Sequence, residues 1–423
     1  MVVNGTLAAE REPAAAEPSG VQQTDLGPIP SDWKIGTLGE LVDPNRTIRY
    51  GIVQPGKYSP RGRYMIRGQD YAAGWADPED LFRVSDAVEY AYKNARVKSG
   101  DILITIVGAS TGRIAVVPDW LEGANLTQTT ARIAIVPTRA DSRYCAYALG
   151  GSYGRTQTIN YMKGGAQPGL NCGDVERFLV PLPPTLAEQK AIAQALTDAA
   201  ALSEALERLI AKKRAVKEGM ISDLLSGQVR LSGFAVPWQS RTLGEICRIT
   251  MGRTPPRANS KYWGKGYAWL SIADLKSRFV SESKEQISRL GVEGMEIVPV
   301  GTLLMSFKLS IGKLCFAGTD LYTNEAICAL RNIVGDASFM YYALGRTDFS
   351  VYGKQAVKGF TLNKESLGNV VVPYPEHDEQ RAIARVLTDI DDELEALEAR
   401  LSKVRLMKQG MMQELLTGRI RLV

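Results

Sequence analysis

One segment of this chain occurs twice, in the same register. EQKAIAQALTD begins at residue 188 and EQRAIARVLTD at residue 379, with eight of the eleven positions identical. Further along, AVKEGMISDLLSGQVRL from 215 is matched by LMKQGMMQELLTGRIRL from 406, again 191 residues later. One inserted residue would turn every later side chain by ~100° about a helix axis, so about 40 residues held in step predict one continuous helix in each copy. In the second copy Ile383, Leu387, Ile390, Leu394, Leu397, Leu401 and Val404 recur at alternating steps of four and three, a heptad seam. The first copy places Ile192, Leu196, Ala199, Ser203, Leu206, Ile210 and Lys213 at the same steps. Small residues on one helix facing large ones on the other predict an antiparallel coiled pair with pseudo-two-fold symmetry. Thr185-x-x-Glu188 reads as a capping box, and Gly227 and Gly418 read as left-handed C-terminal caps. Gly219 and Gly410, matched inside the helices where glycine is unfavourable, read as a close helix approach or a bend.

The duplication reaches upstream of the helices. TLGEL at 37 meets TLGEI at 242, SGDILITI at 99 meets VGTLLMSF at 300, and YALG stands at both 147 and 342. Short apolar runs such as ILITIV, broken by Gly, Pro and Asp, read as strands. The chain is therefore expected to be α+β, two mixed α/β domains each followed by a long helix. The boundaries are a flexible tail 1–27, a first domain 28–184, a first long helix 185–227, a second domain 228–376, and a second long helix with a short tail 377–423. The tail reading rests on REPAAAEPSG, rich in Ala, Glu and Pro, with no apolar core of a secretory signal.

Little in the chain points to catalysis. There are five cysteines and no CxxC pair, which suits a reducing cytoplasm and offers no zinc site. The one histidine, His377, sits at a predicted helix start, where a surface or capping role is expected. No Gly-Lys pair is followed by the Ser or Thr of a phosphate-binding loop. No catalytic residue and no metal ligand is expected, and no run of 18 apolar residues spans a membrane.

The net charge of +5 lies in the two domains. Residues 28–184 carry 18 basic against 15 acidic residues, and residues 232–376 carry 17 against 12. Basic residues there are interleaved with aromatics and amides. In the first domain these are Arg46, Arg49, Tyr50, Lys57, Arg61, Arg63, Arg67 and Gln69, then Lys163 and Gln167. In the second they are Arg253, Arg257, Asn259, Lys261, Tyr262 and Lys265, then Lys354, Gln355 and Lys358. Arg and Lys neutralise phosphates, while Arg on guanine and Asn or Gln on adenine give bidentate base readout. Two domains with this pattern and no catalytic motif point to a double-stranded DNA-binding protein. The competing reading is a non-enzymatic scaffold built on the duplicated coiled coil, without DNA specificity.

The paired EQ-x-AIA…LTD…GM…LL[ST]G segments, the PLPP before the first and YGIVQPG at 50–56 resemble the specificity subunits of type I restriction–modification systems. That resemblance covers residues 28–423. It implies a non-catalytic subunit whose two variable domains read the two halves of a bipartite target, about one helical turn of DNA apart. It also implies that the helix pair sets the spacer and docks two methyltransferase subunits, with translocase and nuclease subunits completing a cytoplasmic complex. S-adenosylmethionine, ATP and magnesium would belong to those partners. The second domain has CRITMGRTPPR where the first has YGIVQPG, as expected if the halves read different bases.

Overall fold

The computed structural model describes residues 20–422 except 73, 164–168, 309 and 357–358, and for 354–356 and 359–361 it describes the backbone. The chain forms two compact units: Met1–Glu207 with Arg400–Val423, and Arg208–Ala399. Each contains one mixed α/β domain and part of each long helix, Leu186–Ser226 and His377–Leu416.

In the first unit an antiparallel sheet is ordered Arg49–Tyr50, Thr130–Ile133, Ile102–Thr105, Ile114–Val116. Every residue of Ile102–Thr105 is buried, which is why that stretch reads as a continuous apolar run rather than an alternation. Ile102, Ile104, Ala131 and Ile133 face a core shared with Tyr144, Cys145 and Leu149 of helix Ser142–Gly150 and with Ile192, Leu196, Leu415 and Leu416 of the long helices. Leu103 packs the opposite face, against Ile66 and Leu126 of a second sheet. There, strand Arg63–Ile66 runs antiparallel to Phe82–Val84 and parallel to Asn125–Leu126.

The second unit repeats this plan. Its main sheet is ordered Arg248–Met251, Ile327–Arg331, Leu303–Ser306, Leu314–Ala317, Phe279–Val280. Its smaller sheet sets Trp263–Leu270 antiparallel to Glu285–Ile287 and parallel to Tyr322–Thr323. Leu303 and Met305 share a core with Phe339 and Leu344 and with Ile221, Leu224, Ile383 and Leu387 of the long helices.

Within each unit the helix segments run antiparallel. In the first, Arg405 pairs with Glu207 at 2.9 Å, while Arg421, just past the helix end, reaches Glu188 at the other helix's start. In the second, Lys217 pairs with Asp391 at 2.5 Å and Arg230 reaches Glu379 at 2.5 Å. Of the predicted seam, Ile192, Leu196, Leu206, Ile210, Ile383, Leu387, Leu394 and Leu401 are buried; Leu397 is half-buried.

The repeated Glu-Gln couples helix to domain by the same bonds in both units. Gln189 Nε2 donates to Pro183 O (3.3 Å), and its Oε1 accepts from Asp141 N (2.9 Å), the cap of helix Ser142–Gly150. Gln380 Nε2 donates to Pro375 O (2.8 Å), and its Oε1 accepts from Asp336 N (2.9 Å), the cap of helix Ala337–Gly345. Glu188 takes Arg421, whose guanidinium lies 5.7 Å from the Trp33 ring; Glu379 takes Arg230, 5.6 Å from the Trp238 ring. Gly227 (φ 71°) and Gly418 (φ 70°) turn the chain to deliver these arginines, as left-handed caps should.

Three expectations need correction. The segment 1–27 is not tail throughout, because Val21–Thr24 and Gly27–Pro30 form a hairpin; residues 1–19 lie outside the described residues. The Thr185 capping box is half made: Glu188 N donates to Thr185 Oγ1 (3.2 Å), but the Glu188 carboxylate is taken by Arg421. Gly219 and Gly410 make no close approach, since a Cβ on either would meet open space.

Candidate nucleic-acid interface

One end of each domain gathers connections between its strands. In the first unit the chain after Tyr50 crosses under the turn at 127–130, with Ile52 N donating to Leu126 O (2.6 Å) and Gln128 N to Ile52 O (3.0 Å). Glycine is required at the crossing, because a Cβ on Gly51 would lie 1.9 Å from Leu126 O. The loop after Ile66 is fixed by Asp70, which accepts from Arg67 N (2.8 Å) and holds its guanidinium at 2.7 Å. Beneath it the Tyr71 hydroxyl bonds Thr105 (2.7 Å) and Thr130 (3.4 Å), and burial pushes that phenol's pKa up. The loop after Thr105 is tied to the segment after Tyr161 by pairing of Val107 with Gly169. Between these connections lies a cleft of about 390 Å³, lined by Val53, Arg67, Gln69, Ser110, Gln128 and Thr129 among others.

The second unit builds the same crossing. Arg253 N donates to Thr323 O (2.8 Å), and a Cβ on Gly252 would lie 2.2 Å from that oxygen. MGRTPP therefore occupies the place of YGIVQP, with Gly252 at the position of Gly51. Asp274 fixes the loop after Leu270 through Ser271, as Asp70 does through Arg67. The Thr254 hydroxyl donates to the Glu325 carboxylate, and that bond lowers the pKa of Glu325 below its ordinary value.

The predicted residues divide into two sets. Arg46 is bound to Asp101 by two hydrogen bonds at the far end of the sheet, where burial leaves Asp101 5% exposed. Arg63 donates to Gly123 O (2.9 Å) and lies 3.7 Å from buried Glu89. Arg67 is committed to Asp70. Arg257 lies 4.0 Å from the Trp263 ring and pairs with Glu285 at 2.5 Å. Asn259 caps a short turn by accepting from Lys261 N (3.1 Å). Arg46, Arg63 and Arg67 are tied into the fold, whereas the Arg257–Glu285 pair lies exposed at the surface. Arg49, Tyr50, Lys57, Arg61, Gln69, Arg253, Lys261 and Lys265 are exposed, Tyr262 is half-buried, and Lys163 is exposed while reaching Asp174 at 3.3 Å. Gln167 and Lys358 lie outside the described residues, and Lys354 and Gln355 stand on a strand pairing Lys354–Ala356 with Gly359–Thr361. Gln128 and Glu325 were not anticipated. The signal that marks their loops is the glycine at the crossing, present in both halves.

Among the described residues no group of three or more His, Cys, Asp or Glu could hold a metal ion, and no helix is long and apolar enough to cross a membrane.

Known proteins share this sequence pattern and architecture. The type I restriction modification DNA specificity domain matches residues 30–213 and again 235–405. A protein of Methanocaldococcus jannaschii, described as a candidate MjaX specificity subunit of a type I restriction enzyme, is 24% identical over 95% of this chain and 96% of its own. The EcoBI specificity subunit of Escherichia coli is 30% identical over 48% of this chain and 42% of its own. The crystal structure of the type I restriction–modification S subunit from M. genitalium superposes with a TM-score of 0.62 at 17% identity, over 90% of this chain and 96% of that one.

Proposed function

Because the chain belongs to the type I restriction–modification DNA specificity family, we propose that it reads a bipartite duplex target, one half-site at the loop end of each unit. The observation that supports this most is the loop end itself, built twice on the same backbone crossing and finished with different side chains. Loops that vary on a fixed scaffold are where recognition is placed. In this reading Lys57 and Arg61 in the first unit, and Arg253, Lys261 and Lys265 in the second, are free to meet phosphates or bases. Arg67 fixes the loop after Ile66 through Asp70, while Arg46 and Arg63 are held by Asp101 and Gly123.

The antiparallel helices set the distance between half-sites and carry two methyltransferase subunits, with translocase and nuclease subunits joining them in the cytoplasm. S-adenosylmethionine, ATP and magnesium are used by those partners, and this chain contributes specificity rather than catalysis. The test is enrichment from a random duplex library by the chain with its methyltransferase partner near physiological salt, since phosphate contacts make affinity strongly salt-dependent. Two fixed half-sites around a spacer of constant length support the reading. An intact complex that enriches no sequence refutes it and favours a scaffold.

A further inference from the structure

At one position the two loop ends share a backbone and differ in chemistry. Asn125–Leu126 runs parallel to Met65–Ile66, and Tyr322–Thr323 runs parallel to Trp269–Leu270. A turn follows each: Thr130 N donates to Thr127 O (3.3 Å), and Ile327 N donates to Asn324 O (3.3 Å). Gln128 and Glu325 therefore hold equivalent places just inside these turns, and both are exposed.

Each turn is braced. The hydroxyls of Thr127 and Thr129 bond one another at 2.8 Å, on either side of Gln128. Asn324 Oδ1 accepts from Ala326 N (3.1 Å), on either side of Glu325. Beneath them the crossings at Gly51 and Gly252 leave no room for a methyl group, so neither turn can sink. A side chain presented on so fixed a base arrives at a partner in a set place.

The two groups ask for different partners. A glutamine amide offers a donor and an acceptor in one plane, the complement of adenine N7 and N6 in the major groove. A carboxylate only accepts, which suits the exocyclic amino group of cytosine. The Glu325 carboxylate accepts from the Thr254 hydroxyl and keeps further acceptor sites for a base amino proton. Resting on the half-site reading above, we propose that this turn position is a base-reading determinant. Gln128 pairs with an adenine in the half-site of the first unit, and Glu325 accepts from the amino group of a cytosine in the half-site of the second.

The test uses the full chain with its methyltransferase partner, enriched from a random duplex library as wild type, Glu325→Gln, Glu325→Ala and Gln128→Glu. A good base contact is worth ~1–3 kcal/mol, or roughly 5- to 150-fold in discrimination. Glu325→Gln is expected to lower cytosine preference at one position of one half-site by about 5-fold or more and to raise adenine there. Glu325→Ala is expected to lose the preference without a replacement. Gln128→Glu is expected to change one position of the other half-site alone. All three truncate or swap exposed side chains, and a melting temperature like that of wild type confirms that each folds. Variants that enrich the wild-type target unchanged, or bind it more weakly with the same base preferences, overturn the proposal and leave half-site reading standing. A wild type that enriches nothing overturns both.

Discussion

Arg421→Ala is the substitution whose cost the structure specifies best. The Arg421 guanidinium makes a two-pronged contact with Glu188, with Nη2–Oε2 at 2.8 Å, and a further contact with Asp32 at 2.9 Å. The Glu188 carboxylate is 1% exposed, so removal of the arginine leaves a buried charge with no counter-ion. Breaking such a pair costs about 3–5 kcal/mol, most of it the desolvation of the orphan. Two compact units make global unfolding a poor readout, because it need not be two-state. Native-state hydrogen exchange resolves local opening instead. A loss of 3–5 kcal/mol should speed exchange by roughly 10²- to 10⁴-fold over the first turns after Leu186. Glu188→Gln should cost less, since Arg421 keeps Asp32, and Arg421→Met with Glu188→Met should cost less than Arg421→Ala alone. Acceleration under about 5-fold for Arg421→Ala, equivalent to ~1 kcal/mol, would refute the claim that this pair fastens the tail to the helix start.

Gly219→Ala and Gly410→Ala should each stabilise the free chain by up to about 1 kcal/mol, because no atom faces them and alanine is the better helix former; thermal melting checks this. Gly51→Ala should destabilise the first unit and weaken target binding together, since its methyl would overlap the Leu126 carbonyl; melting and binding are read on one sample. Arg96, bonded to Glu89 at 2.6 Å, holds that carboxyl below its ordinary value of 4.5. A depressed carboxylate adds stability above its unfolded pKa and loses it as pH falls through the folded one, so the gap in melting temperature between wild type and Glu89→Gln should narrow below about pH 4.5. Burial pushes the Cys145, Cys315 and Cys328 thiols up to about 12, so all three should resist alkylation in the folded chain and react on unfolding.

The helices were legible in the sequence because a heptad seam and a shared register need only local spacing. What the repeated Glu-Gln does was not, since its partners Arg421, Arg230, Asp141 and Asp336 lie far away in the chain. The same limit applies to arginine. Arg46 and Arg61 look alike as letters, but one meets Asp101, 55 residues on, while the other faces solvent. Gln128 and Glu325 belong to no charged or periodic pattern. They acquire meaning only through the glycine crossings that set them on equivalent turns.

In the proposed function, two separate surfaces of one chain read two separate stretches of DNA. Hydroxyl-radical footprinting of the chain with its methyltransferase partner on the enriched duplex distinguishes the two outcomes. Two protected patches are expected, divided by a spacer whose sequence can be scrambled without loss, with Arg61→Ala weakening one patch first. A single continuous patch, or the protection given by the methyltransferase alone, would contradict that function.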